Sequence, residues 1–398
     1  MIDTPSIPPA SSAGVATNGQ AMVPTHILVI GGAGFVGSVL VRKLLDHGYQ
    51  VTVMDALVYG DEGMRDLYDR PGFAIVQGDV REEAAIEKAT AHADAIVHLG
   101  GLVGDPACAL DEQLTLEINL EASRTVAEMA RERGIRRLIF ASSCSLYGAS
   151  EGVLDEQSPL DPLSVYARSK MKSEELLLAS AGPDFAPVVL RFGTFYGLSP
   201  RPRFDIVVNL LVAKAVTEGE ISVHGGSQWR PFLHVDDGAR AIMRCLEVSE
   251  ERIRGQLFNV GSDEQNFTVG QIGETIAGLI PHARVVHQPA AADEANYRVS
   301  FAKIREALDF TPGNSLADGI LEIKAALESG TVADYHDHRY SNHKSLTIGD
   351  GVAMLQRARS SNGHATTAAS AARSSNGHKS ASAATKVEVH ADRAAGGK

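Results

Sequence analysis

A strand, a glycine-rich turn and a helix follow one another near the start of the chain, in the stretch HILVIGGAGFVGSVLVRKLLDHG. The apolar runs QVTVMD, FAIVQGD, DAIVHLG, RRLIFASS and APVVLRFG come later, and helical patterns separate several of them. Runs rich in β-branched residues that alternate with helices are typical of a parallel sheet covered on both faces. The sequence therefore predicts an α/β fold with a doubly wound parallel sheet.

The turn after the first predicted strand has the glycine spacing of a dinucleotide site. Glycines let the backbone turn sharply and approach a pyrophosphate, whose charge is met by the helix N-terminus. Asp55 ends the next strand, where a carboxylate accepts hydrogen bonds from the adenosine ribose and repels a 2′-phosphate. We therefore predict a Rossmann domain that binds NAD rather than NADP. The contacts predicted from this segment are Gly31, Gly34, Phe35, Val36, Gly37 and Asp55.

Two later turns add weaker candidates for cofactor contacts. The sequence QGDVRE offers Asp79 and Val80 to the edge of the adenine. The sequence HLGGLVGD brings Leu99, Gly100 and Gly101 to a place where the chain must pass close to the cofactor. Ordinary turn chemistry explains either sequence equally well.

A tyrosine and a lysine in LSVYARSKMKSEELLL, Tyr166 and Lys170, are four residues apart and share one face of a predicted helix. A lysine ammonium beside a phenol stabilises the phenolate and lowers the tyrosine pKa from about 10. Such a tyrosine can take a proton from an alcohol while a hydride leaves the same carbon. Because the pair follows a dinucleotide fingerprint, we predict that both residues are catalytic and contact the cofactor.

The stretch FASSCSLYG follows the fifth predicted strand and leaves three interpretations open. It could hold a nucleophile, a proton-relay serine, or only the turn-forming residues of a strand end. A Ser or Cys nucleophile requires a base and a group that orients this base. Nothing near this stretch in the sequence has the pattern of such a set.

The segments GGAGFVG, GDV, SSCSLYG, YARSK and RPFLHVDD, together with Asp55, resemble in their order the extended short-chain dehydrogenases/reductases of the nucleotide-sugar epimerase/dehydratase type. The resemblance spans residues 25 to about 345. It implies that Ser143 hydrogen-bonds the reacting oxygen of the sugar and Tyr166, so that it relays and orients a proton. It also implies a homodimer built from the helices at about 112–133 and 163–180.

The residues after Ser143 separate the reactions of this family. Sugar 4,6-dehydratases carry an Asp-Glu pair there, and decarboxylating UDP-glucuronate enzymes keep a Glu where Ser145 stands. Enzymes that epimerise at C3 and C5 have a cysteine at the position of Ser145, whereas this chain has Cys144. We predict that Cys144 is a small buried filler. The resemblance then implies the simplest chemistry, C4 epimerisation of a UDP-hexose through a 4-keto intermediate, with NAD regenerated in each cycle.

Two alternatives to the epimerase stay open. A nucleotide-4-ketosugar reductase, or another oxidoreductase of the same fold, would exchange its NAD(P) at every turnover. Asp55 and the absence of a basic residue beside it in VMDALVYG argue against NADPH. A catalytically silent NAD-sensing or scaffold protein is the other alternative, and the presence of Ser143, Tyr166 and Lys170 together argues against it.

The predicted substrate contacts rest on the resemblance and are Ser143, Thr194, Asn209 and Arg230. Arg230 in GSQWRPFLHVDD matches the family arginine that contacts the nucleotide diphosphate. Arg201 and Arg203 in SPRPRF are further cationic candidates, although an arginine is as often a surface ion-pair partner. The resemblance favours a UDP-sugar as the substrate.

The composition shifts along the chain and suggests domain boundaries. Pro/Ser/Ala-rich and Ala/Ser/Gly-rich segments at the two ends have no apolar periodicity, which is typical of disorder. We predict a disordered arm over 1–24, an NAD-binding domain over 25–193 to which 233–261 returns, a smaller C-terminal substrate-binding lobe over 194–232 and 262–345, and a low-complexity disordered tail over 356–398.

Charge and cysteine content narrow the partners and the location. The chain carries a net charge of −12, and the +5 from Gln356 onward leaves −17 on the rest, which argues against nucleic-acid binding. No apolar run reaches the ~18 residues that span a bilayer, and no secretory signal is visible. Three scattered cysteines do not make a disulfide framework. We expect a cytoplasmic protein without a membrane segment, and without a metal because DYHDHRYSNHK lacks zinc-ligand spacing.

Overall fold

The computed structural model describes residues 24–289, 295–348 and 351–356 of the chain. The predicted N-terminal arm lies outside this part except for its last residue. The predicted C-terminal tail lies outside it except for Gln356.

A parallel sheet of seven strands forms the centre of the larger lobe and confirms the predicted fold class. Its strands are β1 (His26–Ile30), β2 (Gln50–Asp55), β3 (Phe73–Gln77), β4 (Ala95–His98), β5 (Arg137–Ser143), β7 (Ala186–Phe192) and β11 (Gln256–Val260). Their spatial order is β11-β7-β5-β4-β1-β2-β3, so the chain reverses direction across the sheet between β1 and β4. In such sheets ligands bind in the crevice at the carboxyl ends of the strands beside this reversal.

Helices cover both faces of the sheet, because its strands are apolar on both sides. The helices along the chain are α1 (Phe35–Asp46), α2 (Glu83–Ala89), α3 (Asp105–Cys108), α4 (Glu112–Leu116), α5 (Ala122–Glu132), α6 (Val165–Ala179), α7 (Val207–Glu218), α8 (Val235–Glu247), α9 (Glu250–Ile253), α10 (Val269–Leu279), α11 (Ala302–Leu308), α12 (Leu316–Glu328) and α13 (Asn342–Ile348). Helices α1 and α8 pack against each other on one face, and α5 and α6 lie on the other. Within the described residues, no helix has the length and apolarity needed to cross a membrane.

The smaller lobe has its own apolar core beside the sheet. Its strands are β8 (Thr194–Tyr196), β9 (Glu220–His224), β10 (Trp229–His234), β12 (Asn266–Thr268) and β13 (Arg284–Gln288), and a further pair joins β6 (Ala149–Leu154) to β14 (Asn296–Val299). Helices α7, α10 and α12 surround this core, in which Val212, Ile276 and Ile320 are fully buried. The last described residues return to the larger lobe, where Leu346 and Leu355 pack on Leu102.

A buried ion pair joins α6 to the sheet. Arg191 of β7 forms a forked contact with the Glu174 carboxylate, with Nη2 to Oε2 at 2.6 Å and Nε to Oε1 at 2.9 Å. Both side chains are almost completely buried. The same carboxylate accepts a hydrogen bond from the Ser142 hydroxyl at the end of β5. One carboxylate thus holds together the helix and two neighbouring strands.

Removing one partner of this pair leaves a charge buried without a counter-ion. We predict that Arg191→Met lowers the free energy of unfolding by about 3–5 kcal/mol. The matched control Arg305→Met breaks the exposed pair with Asp263 and leaves stability nearly unchanged. Urea denaturation of the two variants measures the difference. The double variant Arg191→Met/Glu174→Leu should recover most of the lost stability, because it leaves no charge buried. Equal losses of stability in Arg191→Met and Arg305→Met would contradict this account.

Candidate active site

A cavity opens at the carboxyl ends of the sheet strands, beside the reversal between β1 and β4. Every residue predicted as a cofactor contact lines this cavity, namely Gly31, Gly34, Phe35, Val36, Gly37, Asp55, Asp79, Val80, Leu99, Gly100, Gly101, Tyr166 and Lys170. Ser143 lines it as well. The fold thus brings the predicted cofactor turn and the predicted catalytic residues to one place.

The glycine turn has no room for side chains at two of its positions. Gly31 has a φ of +79°, and a Cβ there would lie 2.6 Å from the backbone nitrogen of Gly100. A Cβ on Gly37 would lie 2.4 Å from the carbonyl oxygen of Gly31. The turn therefore packs backbone on backbone between β1, α1 and the residues after β4, and it presents amide groups at the start of α1. This geometry fits a dinucleotide pyrophosphate.

Asp55 ends β2 and is held by the backbone of two turns. Its carboxylate accepts hydrogen bonds from the amide of Ala33 at 3.0 Å and the amide of Leu57 at 2.9 Å. Burial raises the pKa of Asp55, and the two amides oppose this shift. Asp79 is fixed differently, by a forked ion pair with Arg81. Both carboxylates are positioned by local contacts at the ends of β2 and β3.

Lys170 and Tyr166 lie one turn apart on α6, as the spacing predicts. The Lys170 ammonium is buried, donates to the carbonyl of Ala141 at 3.0 Å and lies 4.6 Å from the centre of the Phe140 ring. Burial lowers the pKa of Lys170 to about 8. The lysine is therefore held by strand β5, two residues before Ser143.

The prediction that the Tyr166 pKa is lowered is wrong for the described protein. Burial raises the pKa of Tyr166 and is the largest influence, while the hydrogen bond with Ser143 acts in the opposite direction. Lys170 is not among the largest influences on this pKa. The loss of solvent around the phenol outweighs the neighbouring charges, so the proton is held on the tyrosine.

The stretch after β5 places Ser143 and Cys144 in different environments. The Ser143 hydroxyl donates to the hydroxyl of Ser145 at 2.9 Å and accepts from the Ser145 amide at 3.1 Å. Cys144 is fully buried, its thiol donates to the carbonyl of Arg191 at 3.3 Å, and burial raises its pKa. Ser143 thus faces the cavity, whereas Cys144 packs as a protonated thiol in the interior.

Three of the predicted substrate contacts, Thr194, Asn209 and Arg230, are not among the described residues that line the cavity. The Asn209 side chain is fully buried and binds the backbone of Gly197 and Arg203. The Arg230 guanidinium donates to the carbonyls of Trp229 and Ala295. Thr194 begins β8, which pairs with β10. Asn209 and Arg230 hold the backbone of the smaller lobe in this structure, and their substrate contacts stay predictions.

The sequence analysis missed a buried amide beneath the cavity. The predicted helix over this stretch is interrupted by one π-helical segment, Glu117–Glu121, which contains Asn119. The Asn119 side chain accepts from the amide of Leu102 at 2.8 Å and donates to the Ser169 hydroxyl at 3.1 Å. It therefore joins the turn after β4 to the helix of Tyr166 and Lys170. Such π-helical segments are frequent at functional sites, but the sequence pattern does not distinguish them from an ordinary helix.

The fold and the site agree with a family match. Residues 27–261 match the sequence model of the NAD dependent epimerase/dehydratase family, which is more than half of the chain. The chain belongs to this family, and its cofactor is NAD.

Individual relatives divide between two reactions. The chain is 30% identical over 330 residues to a dTDP-glucose 4,6-dehydratase of Streptomyces griseus, covering 79% of this chain and 95% of the relative. It is 27% identical to a UDP-glucose 4-epimerase of Lacticaseibacillus casei, covering 74% and 94%. A solved dTDP-glucose 4,6-dehydratase of Streptomyces venezuelae with NAD bound has a TM-score of 0.69 and 25% identity, covering 77% of this chain and 98% of that one. Family membership therefore leaves the reaction open.

The tight backbone contact at Gly37 gives a direct test of the cofactor turn. We predict that Gly37→Ala abolishes NAD retention, because the new methyl group forces α1 away from the turn. The control Gly278→Ala adds a methyl where no atom lies within 4 Å, and it leaves NAD content unchanged. The cofactor released by denaturation of each purified variant is measured. If Gly37→Ala retained its full NAD content, the pyrophosphate would have to bind somewhere other than the glycine turn.

The buried ammonium of Lys170 predicts a pH dependence of stability. Since its pKa is lowered from 10.5 to about 8 in the folded chain, the unfolded chain binds more protons between these two values. The free energy of unfolding then rises with pH in this window. We predict that Lys170→Met flattens the rise between pH 8 and 10, whereas the exposed control Lys344→Met does not. Urea denaturation at several pH values measures the slopes, and an unchanged slope in Lys170→Met would contradict the burial of a charge.

Proposed function

We propose that the protein is an NAD-dependent nucleotide-sugar 4-epimerase that acts on a UDP-hexose. The observation that carries this proposal is the position of the carboxylates that line the cavity. Among the described residues that line it, the carboxylates are Asp55 and Asp79, at the ends of β2 and β3. Ser143 lies at the end of β5, on the other side of β1 and β4.

A 4,6-dehydratase needs carboxyl groups beside the sugar, to protonate the leaving hydroxyl and to abstract the C5 proton. The two positions after Ser143 hold Cys144, which packs into the interior, and Ser145, whose hydroxyl binds Ser143. Neither side chain can carry out carboxylate acid–base chemistry at neutral pH. Oxidation of an alcohol and reduction of the resulting ketone need only the tyrosine, the serine and the cofactor.

The proposed roles follow from the contacts of the three side chains. When bound, NAD supplies a hydride acceptor and afterwards the same hydride donor. Tyr166 acts as a phenolate, which the positive charges of Lys170 and of the oxidised cofactor favour once the cofactor is bound. The phenolate takes the proton of the sugar 4-hydroxyl and returns it to the ketone oxygen after the sugar has rotated in the cavity. Ser143 hydrogen-bonds Tyr166 and orients the sugar oxygen. Lys170 is fixed by the Ala141 carbonyl, where its positive charge favours the phenolate during proton transfer.

A UDP-hexose is the proposed substrate because the chain is similar to a UDP-glucose 4-epimerase over 94% of that relative. The same similarity to dTDP-sugar enzymes makes the nucleotide the least constrained part of the proposal. The resemblance also supports a homodimer, in which the α5 and α6 faces of two subunits meet.

The test combines cofactor release with turnover. We expect purified protein to release near-stoichiometric NAD on denaturation and to interconvert UDP-glucose and UDP-galactose without added cofactor. Tyr166→Phe lowers kcat by about 10²–10⁴-fold while NAD is retained. The control Tyr68→Phe, at an exposed tyrosine, keeps the wild-type rate. Turnover that requires added NAD(P)H, or a 4-keto-6-deoxy product, would overturn the proposal.

A further inference from the structure

The last described residues of the chain form part of the cavity wall. Asn342 at the start of α13 and Leu355 in the helical stretch 351–356 both line the cavity. Leu355 lies beyond the match to the family model, which ends at residue 261, and beyond about residue 345, where the resemblance in the sequence ends. The proposed reaction uses neither side chain. This part of the wall is therefore a feature of the chain that the family match does not explain.

Leu355 lies beside the residues that we predict at the edge of the adenine. Its carbonyl accepts a hydrogen bond from Nη2 of Arg81 at 2.6 Å. The same guanidinium forms a forked ion pair with Asp79, through Nε at 2.9 Å and Nη2 at 2.6 Å. Both side chains of this pair are almost completely buried. Arg81 thus ties the backbone of Leu355 to the carboxylate that we predict beside the adenine.

The side chain of Leu355 completes an apolar group on the cavity wall. Leu355 is only 5% exposed and belongs to the same apolar cluster as Leu102 and Ile118. Val80 packs against this cluster, and all four side chains line the cavity. Ligand pockets commonly combine such an apolar lining with a few fixed polar groups. Together with the Asp79 carboxylate, this wall fits a flat heteroaromatic ring whose edge carries an amino group.

Asn342 fixes the same segment at a second point on the cavity. Its side chain donates to the carbonyl of Val103 at 3.2 Å and accepts from Nη1 of Arg201 at 2.7 Å. Its backbone amide donates to the Asp205 carboxylate at 2.7 Å. Val103 follows β4, whereas Arg201 and Asp205 precede α7 in the smaller lobe. The segment is therefore held against both lobes where it meets the cavity.

We propose that residues 342–348 and 351–356 form a C-terminal cap over the adenosine end of the cofactor site. Leu355 packs against the adenine, and Arg81 holds Leu355 in place. The bound cofactor then leaves slowly, because the adenine must first lose its apolar contact with the cap. The pyrophosphate stays at the glycine turn, so the cap acts on the adenosine alone. This proposal rests on NAD as the cofactor and not on the proposed reaction.

The test measures how fast NAD leaves Leu355→Ala. The purified NAD-loaded protein is mixed with an NAD glycohydrolase, which destroys free NAD, and the NAD still bound is quantified over time. We expect release about 10-fold faster than from the wild type, because the variant loses apolar contact with the adenine. The control Met354→Ala changes the neighbouring side chain, which is 38% exposed and is not among the described residues that line the cavity. It should release NAD at the wild-type rate.

A second measurement needs no variant. Coupling between the cap and the cofactor is reciprocal, so bound NAD should slow hydrogen exchange of the amides in 342–348 and 351–356. The wild-type protein is compared with NAD bound and after charcoal has removed the cofactor. Unchanged or slower release of NAD from Leu355→Ala would overturn the cap. If this variant does not fold, hydrogen exchange that does not respond to NAD overturns it instead.

Neither measurement involves a nucleotide sugar. Failure of the epimerase reaction would therefore leave the rate of NAD release and the hydrogen exchange of the cap unaffected. Failure of the cap would likewise leave the proposed reaction intact.

Discussion

The buried ion pair between Glu174 and Arg191 is the interaction on which the geometry of the candidate active site depends. It fixes α6 against β7, and through the hydroxyl of Ser142 it also fixes the end of β5. Tyr166 and Lys170 lie on the same helix before Glu174. A buried pair contributes little net stability compared with apolar packing, so its value here is the relative placement of helix and strands.

A second set of contacts to α6 comes from neutral groups. Asn119 binds Leu102 and Ser169, and the Ser173 hydroxyl donates to the Asn119 carbonyl at 2.9 Å. The helix is therefore held by a charged contact at Glu174 and by an amide network at Ser169 and Ser173. Because the turn after β4 also touches the glycine turn after β1, cofactor binding and catalytic geometry share one backbone framework. The cleft between the two lobes then needs only to bind the sugar next to this framework.

Most of the fold and the cofactor side of the site could be predicted from the sequence, because their signals are local. The alternation of strands and helices, the glycine turn and the Tyr166–Lys170 spacing each lie within a few residues. Another part of the cavity wall depends on distant contacts. Arg201 donates to the side chain of Asn342, 141 residues further along the chain, and no local pattern in either segment predicts this contact. Arg230 was assigned by resemblance, yet backbone carbonyls of its own lobe occupy its guanidinium. Local sequence patterns therefore predict the residues at the carboxyl edge of the sheet. Tertiary packing decides which arginine side chains line the cavity.

The central claim is that hydride leaves and returns to the same carbon, because the described residues that line the cavity beside Ser143 include no carboxylate for any other step. The most direct measurement follows deuterium in UDP-glucose labelled at C4, incubated with the purified protein without added cofactor. The account predicts UDP-glucose and UDP-galactose that both retain deuterium at C4. Deuterium at C6 of a 4-keto-6-deoxy sugar, or its release into free reduced cofactor, would contradict it.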